Sequence, residues 1–177
     1  MGRSRYKIYE PTHPHFITCT VLHWIPIFTR VETVDILFNS LRYLQKEDNL
    51  KIYAYVILEN HLHLVASSSD IGMSMRRFKS FTAKEILKYL KAKNIKTILD
   101  QLAFYKKAHK KKAEYQLWQE GLQPKLIQND KMMRDRINYI HLNPVKRGYV
   151  DKASCWRYSS ARDYEGIKGL LEVERFW

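Results

Sequence analysis

Cysteine is nearly missing from this chain: only Cys19 and Cys155 occur, far apart in sequence. That excludes a disulfide framework and a cysteine-rich zinc site. Cys19 lies in an apolar run and reads as a small core residue. Long apolar stretches are missing too, and none reaches the roughly eighteen residues that a membrane-spanning helix needs. The basic start, Met1-Gly2-Arg3-Ser4-Arg5-Tyr6, runs into no apolar signal core, so a cytoplasmic location is expected. No internal repeat is visible. Acidic residues are scarce, 18 against 31 Lys and Arg, for a net charge of +13. Such an excess favours a polyanionic partner. Nucleic acid ranks before an anionic membrane surface, because no Trp or Phe face stands opposite the basic stretches.

What is present suits one globular domain: 177 residues, 45% hydrophobic and 13% aromatic. Residues 1–14 read as an N-terminal arm. His15 to Leu22 is rich in β-formers and reads as a strand. Thr29-Arg30-Val31-Glu32 has the capping-box pattern and predicts a helix to about Lys46, with Val34, Leu37, Phe38, Leu41 and Leu44 as its apolar stripe. Lys51 to Leu58 is almost continuously apolar, as a central strand buried on both sides would be. Glu59-Asn60 makes a turn, and His61 to Ser67 returns antiparallel. Gly72 to about Lys93 reads as a second helix, with Arg77, Lys84, Lys88 and Lys91 on its basic face. Ile95 to Ala108 continues as a further helix into a Lys-rich hinge, which reads at least as well as a solvated mobile loop as it does as a DNA contact. Tyr115 to Gln119 reads as a short strand. A last helix runs from Lys131 to about Leu142, where Asn143-Pro144 breaks it. The order is βαββαβ, a ferredoxin-like α+β sandwich with helices on one face of an antiparallel sheet and a late helix besides. The expected division is the arm, a catalytic domain over 15–148, and an aromatic tail over 149–177 that packs on it.

Two groups of residues carry chemistry. In a strand, residues two apart share a face, so His61 and His63 project side by side while Leu62 and Leu64 point into the core. Alone, such a pair reads more readily as packing than as ligation. On the late helix Tyr139 and Asn143 are four apart and share a side with Arg136. Periodicity alone makes them a packed tyrosine and a helix stop. Taken together, two imidazoles and an amide oxygen can hold a divalent metal with positions left for a phosphate oxygen. Tyr139 can then supply a nucleophile.

These residues resemble the HUH superfamily of single-stranded DNA nucleases, and more narrowly the REP-associated tyrosine transposases. The resemblance is carried by Asn60-His61-Leu62-His63-Leu64, Trp118-Gln119, Tyr139-Ile140-His141-Leu142-Asn143-Pro144-Val145-Lys146, and Tyr158-Ser159-Ser160-Ala161-Arg162-Asp163-Tyr164. It implies a transposase cleaving single-stranded DNA near hairpins of repetitive palindromic elements, through a 5′-phosphotyrosine intermediate. It implies His61, His63 and Asn143 as ligands of Mg2+ or Mn2+ and Tyr139 as nucleophile. His141 belongs to the motif but points off the Tyr139 face and receives no catalytic role. Arg77, Lys84, Lys88, Arg136 and Lys146 are the candidate DNA contacts. The chain is expected to act as a monomer or homodimer, associated with the nucleoid when bound to DNA. It departs from the family pattern at Leu58-Glu59, where Met-Pro is common, and at Gln123, where relatives often carry His. The alternative is a basic ferredoxin-like domain, an inactive or repurposed copy, that binds nucleic acid without cutting.

Overall fold

The computed structural model describes residues 10–122 and 124–175. Residues 1–9 of the expected arm, Gln123, and the terminal Phe176-Trp177 lie outside the described residues. The elements run β1 (His15–Thr20), α1 (Val31–Glu47), β2 (Lys51–Ile57), β3 (His61–Ser67), α2 (Ile71–Ala92), α3 (Lys96–Phe104), β4 (Lys125–Leu126), α4 (Asp130–Lys146) and α5 (Ala161–Tyr164). Four strands form one antiparallel sheet in the order β2-β3-β1-β4. The βαββαβ reading therefore holds, with β3 in the interior of the sheet.

Alternation divides the sheet into two faces. Ile17, Cys19, Leu62, Leu64 and Ala66 join the stripes of α1 and α2 in the larger core. Phe16, Val56 and Val65 face the other way and meet Met133, Ile137 and Ile140 of α4. The second face is thus covered by the late helix. Burying each such aliphatic side chain contributes roughly 1.5–3 kcal/mol, so α4 is anchored by its apolar stripe and free to present its remaining sides.

Four details depart from the sequence reading. The fourth strand is Lys125–Leu126 and not Tyr115–Gln119. The latter segment makes one bridge, Trp118 to Val21, at the other end of β1. Gly121, with φ of 83°, and Pro124, which has no N–H to donate, interrupt what would be one strand. Second, β2 is at the margin of the sheet rather than central. Its apolar character is explained by the C-terminal segment lying along it: Ile57 N–H donates to Tyr158 C=O (2.9 Å), Ser160 N–H to Tyr55 C=O (3.0 Å) and Glu174 N–H to Ile52 C=O (2.8 Å). Third, the capping box does not form. Arg30 takes the N-cap position without a side-chain bond, and Thr29 donates instead to Pro26 C=O (3.2 Å). Fourth, α4 passes through Asn143-Pro144 and ends at Lys146. A proline in a helix interior costs about 3 kcal/mol: Pro144 has no N–H for the Ile140 carbonyl one turn back, and the helix ends two residues beyond it.

Candidate active site

Strand β3 places His61 and His63 on the α4 face, 2% and 6% exposed, with ring centroids 4.7 Å apart. Each Nδ1 is engaged. His61 Nδ1 meets Asn60 Oδ1 at 2.6 Å, and Asn60 Nδ2 donates to Trp24 C=O at 3.1 Å. With the amide oriented in this way its oxygen can only accept, so His61 carries its proton on Nδ1 and keeps the Nε2 lone pair. His63 Nδ1 shares a 2.8 Å hydrogen bond with Thr18 Oγ1, its cross-strand partner on β1. Burial, then the Arg147 charge, pushes His61 down to about 4, against a smaller upward pull from Glu59. Burial, His61 and Arg147 push His63 down to about 3. Both rings are neutral at physiological pH, the form in which imidazole ligates metal.

Helix α4 brings Tyr139 to this pair. Its ring lies 5.3 Å from His63 and 5.8 Å from Phe16, yet Tyr139 stays 38% exposed. Phe16 stacks on His63 at 5.4 Å, and the Arg136 guanidinium lies 5.1 Å from the Phe16 ring centroid. Asn143, one turn beyond Tyr139, is buried. Its Oδ1 accepts from Arg147 Nε (3.2 Å), while Arg147 Nη1 donates to Glu59 Oε1 (2.8 Å). Glu59 Oε2 is buried without a hydrogen-bond partner among the described residues.

Two neutral imidazoles and an amide oxygen are nitrogen and oxygen donors of the kind that suit a divalent cation. Among the described residues no three His, Cys, Asp or Glu side chains converge on a point that could hold a metal ion.

Of the expected DNA contacts, Arg136 is at the site and Lys146 is exposed at the end of its helix. Arg77, Lys84 and Lys88 are exposed on α2, whose buried residues pack on the opposite face of the sheet. Arg77 there forms an ion pair with Asp48. The structure does not bring these three to the histidines. His141 is buried, 2.9 Å from Ser160 Oγ through Nε2, and Ser160 Oγ accepts from Tyr55 N–H (2.9 Å). Two motif blocks thus meet in a structural joint at β2. Sequence reasoning missed Thr18, Phe16 and Arg147. Thr18 and Phe16 depend on strand register. Arg147 had a signal, its four-residue spacing from Asn143.

No protein-family model matches the chain. It is 30% identical over 109 residues to a Haemophilus influenzae protein described as a REP-associated tyrosine transposase, a match covering 60% of this chain and 56% of that relative. It is 24% identical over 145 residues to the REP-associated tyrosine transposase of Escherichia coli, covering 79% and 71%. The match thus spans little more than half the length of the first relative. A solved structure of a REP-associated tyrosine transposase bound to a REP hairpin superposes with a TM-score of 0.66 at 18% identity, covering 100% of this chain and 94% of the other. The chain is thus similar in sequence to REP-associated tyrosine transposases over these segments and similar in fold to a solved one.

Proposed function

We propose that the chain is a metal-dependent single-stranded DNA endonuclease and strand transferase that acts near hairpin DNA. The observation that carries this is the juxtaposition of Tyr139 with the histidine pair: a half-exposed phenol packed against His63, although the two are far apart in sequence. Hairpin DNA is extended to this chain from the solved relative.

In this reading His61, His63 and Asn143 would hold Mg2+ or Mn2+, which would supply charge neutralisation at the scissile phosphate. The protein's own part is placement. Phe16 and His63 hold the Tyr139 ring, and the residue stays partly exposed to an approaching strand. The phenolic oxygen bonds to phosphorus as the bond to the 3′-oxygen breaks. The phenolic proton is lost and the departing 3′-oxygen gains one, leaving a 5′-phosphotyrosine and a free 3′-hydroxyl. Arg136 and Arg147 offer guanidinium donors for phosphate oxygens. Reversal of the step onto another 3′-hydroxyl is strand transfer.

Tyr139→Phe tests the reading with an end-labelled hairpin carrying a single-stranded flank. The variant is expected to bind the DNA and to form no covalent adduct, where the unaltered chain forms one with Mn2+. An adduct surviving the substitution overturns the assignment. One observation favours the second reading, a binder that does not cut: Asn143 Oδ1 is taken by Arg147. In that case binding is indifferent to chelator and the DNA stays intact.

A further inference from the structure

Beside the histidines lies a feature that the cleavage step does not use. Leu22–Trp24 forms a 3-10 turn in which two successive non-glycine residues have left-handed backbone, His23 at φ 51° and Trp24 at φ 57°. L-residues rarely adopt this conformation, and two in a row persist only where the surroundings dictate them. Here Val21 N–H donates to Asn60 C=O (2.9 Å), Leu22 N–H to Leu117 C=O (2.7 Å) and Phe28 N–H to Glu59 C=O (2.8 Å), stitching the segment down on both sides. The outcome is a tryptophan held 53% exposed, its ring centroid 5.5 Å from that of His61 in an edge arrangement. The Asn60 amide that orients His61 also holds the Trp24 carbonyl, so loop and ligand are positioned by one side chain.

Four rings therefore stand in file: Tyr139, His63, His61, Trp24, with successive centroids 5.3, 4.7 and 5.5 Å apart. Next to Trp24 in the chain, His23 stacks on Tyr105 at 3.8 Å. Phe104, 81% exposed, meets Tyr105 edge-on at 5.0 Å. The Lys-rich stretch over residues 106–112 comes directly after, with Lys107 and Lys110 paired to Glu120 and Lys111 and Lys112 exposed. Exposed aromatics beside lysines are the chemistry of single-strand recognition: the rings take bases face-on and the ammonium groups neutralise phosphates.

We propose that Trp24, flanked by the stacked His23–Tyr105 pair, is a stacking platform for an unpaired base next to the scissile phosphate, on the side of the histidines away from Tyr139. This rests on the cleavage reading, since the phosphate is placed at the histidines. The test measures affinity of the full chain, in the Tyr139→Phe background that keeps DNA intact, for a hairpin with a normal single-stranded flank and one whose flank is abasic. The normal flank is expected to bind about ten-fold more tightly, a difference in the range of one base stacked on an aromatic ring. Adding Trp24→Ala removes that preference by weakening only the normal flank, and Trp24→Phe keeps most of it. Equal binding of the two flanks by the Tyr139→Phe chain overturns the platform, as does a Trp24→Ala loss shared equally by both. Base-dependent binding by a chain whose unaltered Tyr139 forms no adduct leaves the platform standing and removes cleavage. Binding of neither hairpin overturns both.

Discussion

At the scale of single residues, the candidate site is organised by side chains that hold the two histidines and Asn143 in place. Asn60 sets the His61 tautomer and the Trp24 carbonyl together. Thr18 does similar work for His63 from the neighbouring strand. Arg147 is the residue with opposing effects. Its guanidinium engages the Asn143 amide oxygen and Glu59, and its charge disfavours a cation at either histidine. Replacing it by Met keeps bulk and removes both effects, and leaves the Glu59 carboxylate unneutralised beside the pair. Mn2+ affinity, measured by titration calorimetry, is expected to rise by about five-fold, the order of one partly screened charge interaction. An unchanged or weaker affinity would show that Arg147 does not compete with the metal.

At the scale of elements, α4 does two jobs with two sides. Met133, Ile137 and Ile140 bind it to the sheet, and Tyr139 stays out at the edge of that contact. Its start is secured by Asn129, whose Oδ1 accepts from Met132 N–H at 2.9 Å. Asn129→Ala is expected to lower stability by about 1 kcal/mol in urea unfolding, with adduct formation by the folded fraction preserved because the cap lies far from Tyr139 along the helix. A stability loss well under that, or a selective loss of adduct, would contradict the role. Helix α1 shows the contrasting case. Thr29 and Glu32 have the local spacing of a capping box, but Phe28 is buried and bonds Glu59 C=O. That tertiary tie sets the chain's entry angle, and Thr33, through Ile27 and Arg30 carbonyls at 2.8 Å each, fastens the turn instead.

At the scale of the molecule, the larger core lies on one face of the sheet and the candidate site on the other, beside α4, and the charge is not a uniform coat. Lys107, His109 and Lys110 gather on Glu120 at 3.3, 2.8 and 3.4 Å, which gives order to a stretch that composition alone presents as mobile. Desolvation would raise the Glu120 carboxyl, but hydrogen bonds from these three hold it at about 2, below its ordinary 4.5. A carboxyl depressed on folding contributes stability that is whole above the unfolded value and is lost as pH falls through the folded one. The contribution of Glu120 is therefore expected to fade between about pH 4.5 and pH 2. Acid unfolding of Glu120→Gln should be less steep in that window. An identical curve would show that the cluster contributes nothing to folding. Among the described residues no helix is long and apolar enough to cross a membrane.

Local periodicity was enough to dictate part of this arrangement. Alternation about Leu62 and Leu64 placed both histidines on one face, and helical spacing placed Tyr139 apart from Met133, Ile137 and Ile140. These are properties of one strand and one helix, and they survive in any packing that buries the apolar side. Tertiary packing was needed to settle which strand lies at the margin of the sheet, that the fourth strand is interrupted, and that Thr18 faces His63. It alone settled that Pro144 is carried inside a helix, that Arg77, Lys84 and Lys88 lie behind the sheet, and that Arg147 reaches from Asn143 to Glu59. Each of these depends on register or on partners distant in the chain, where the energy of burying one surface against another outweighs the weak local preferences that a sequence displays.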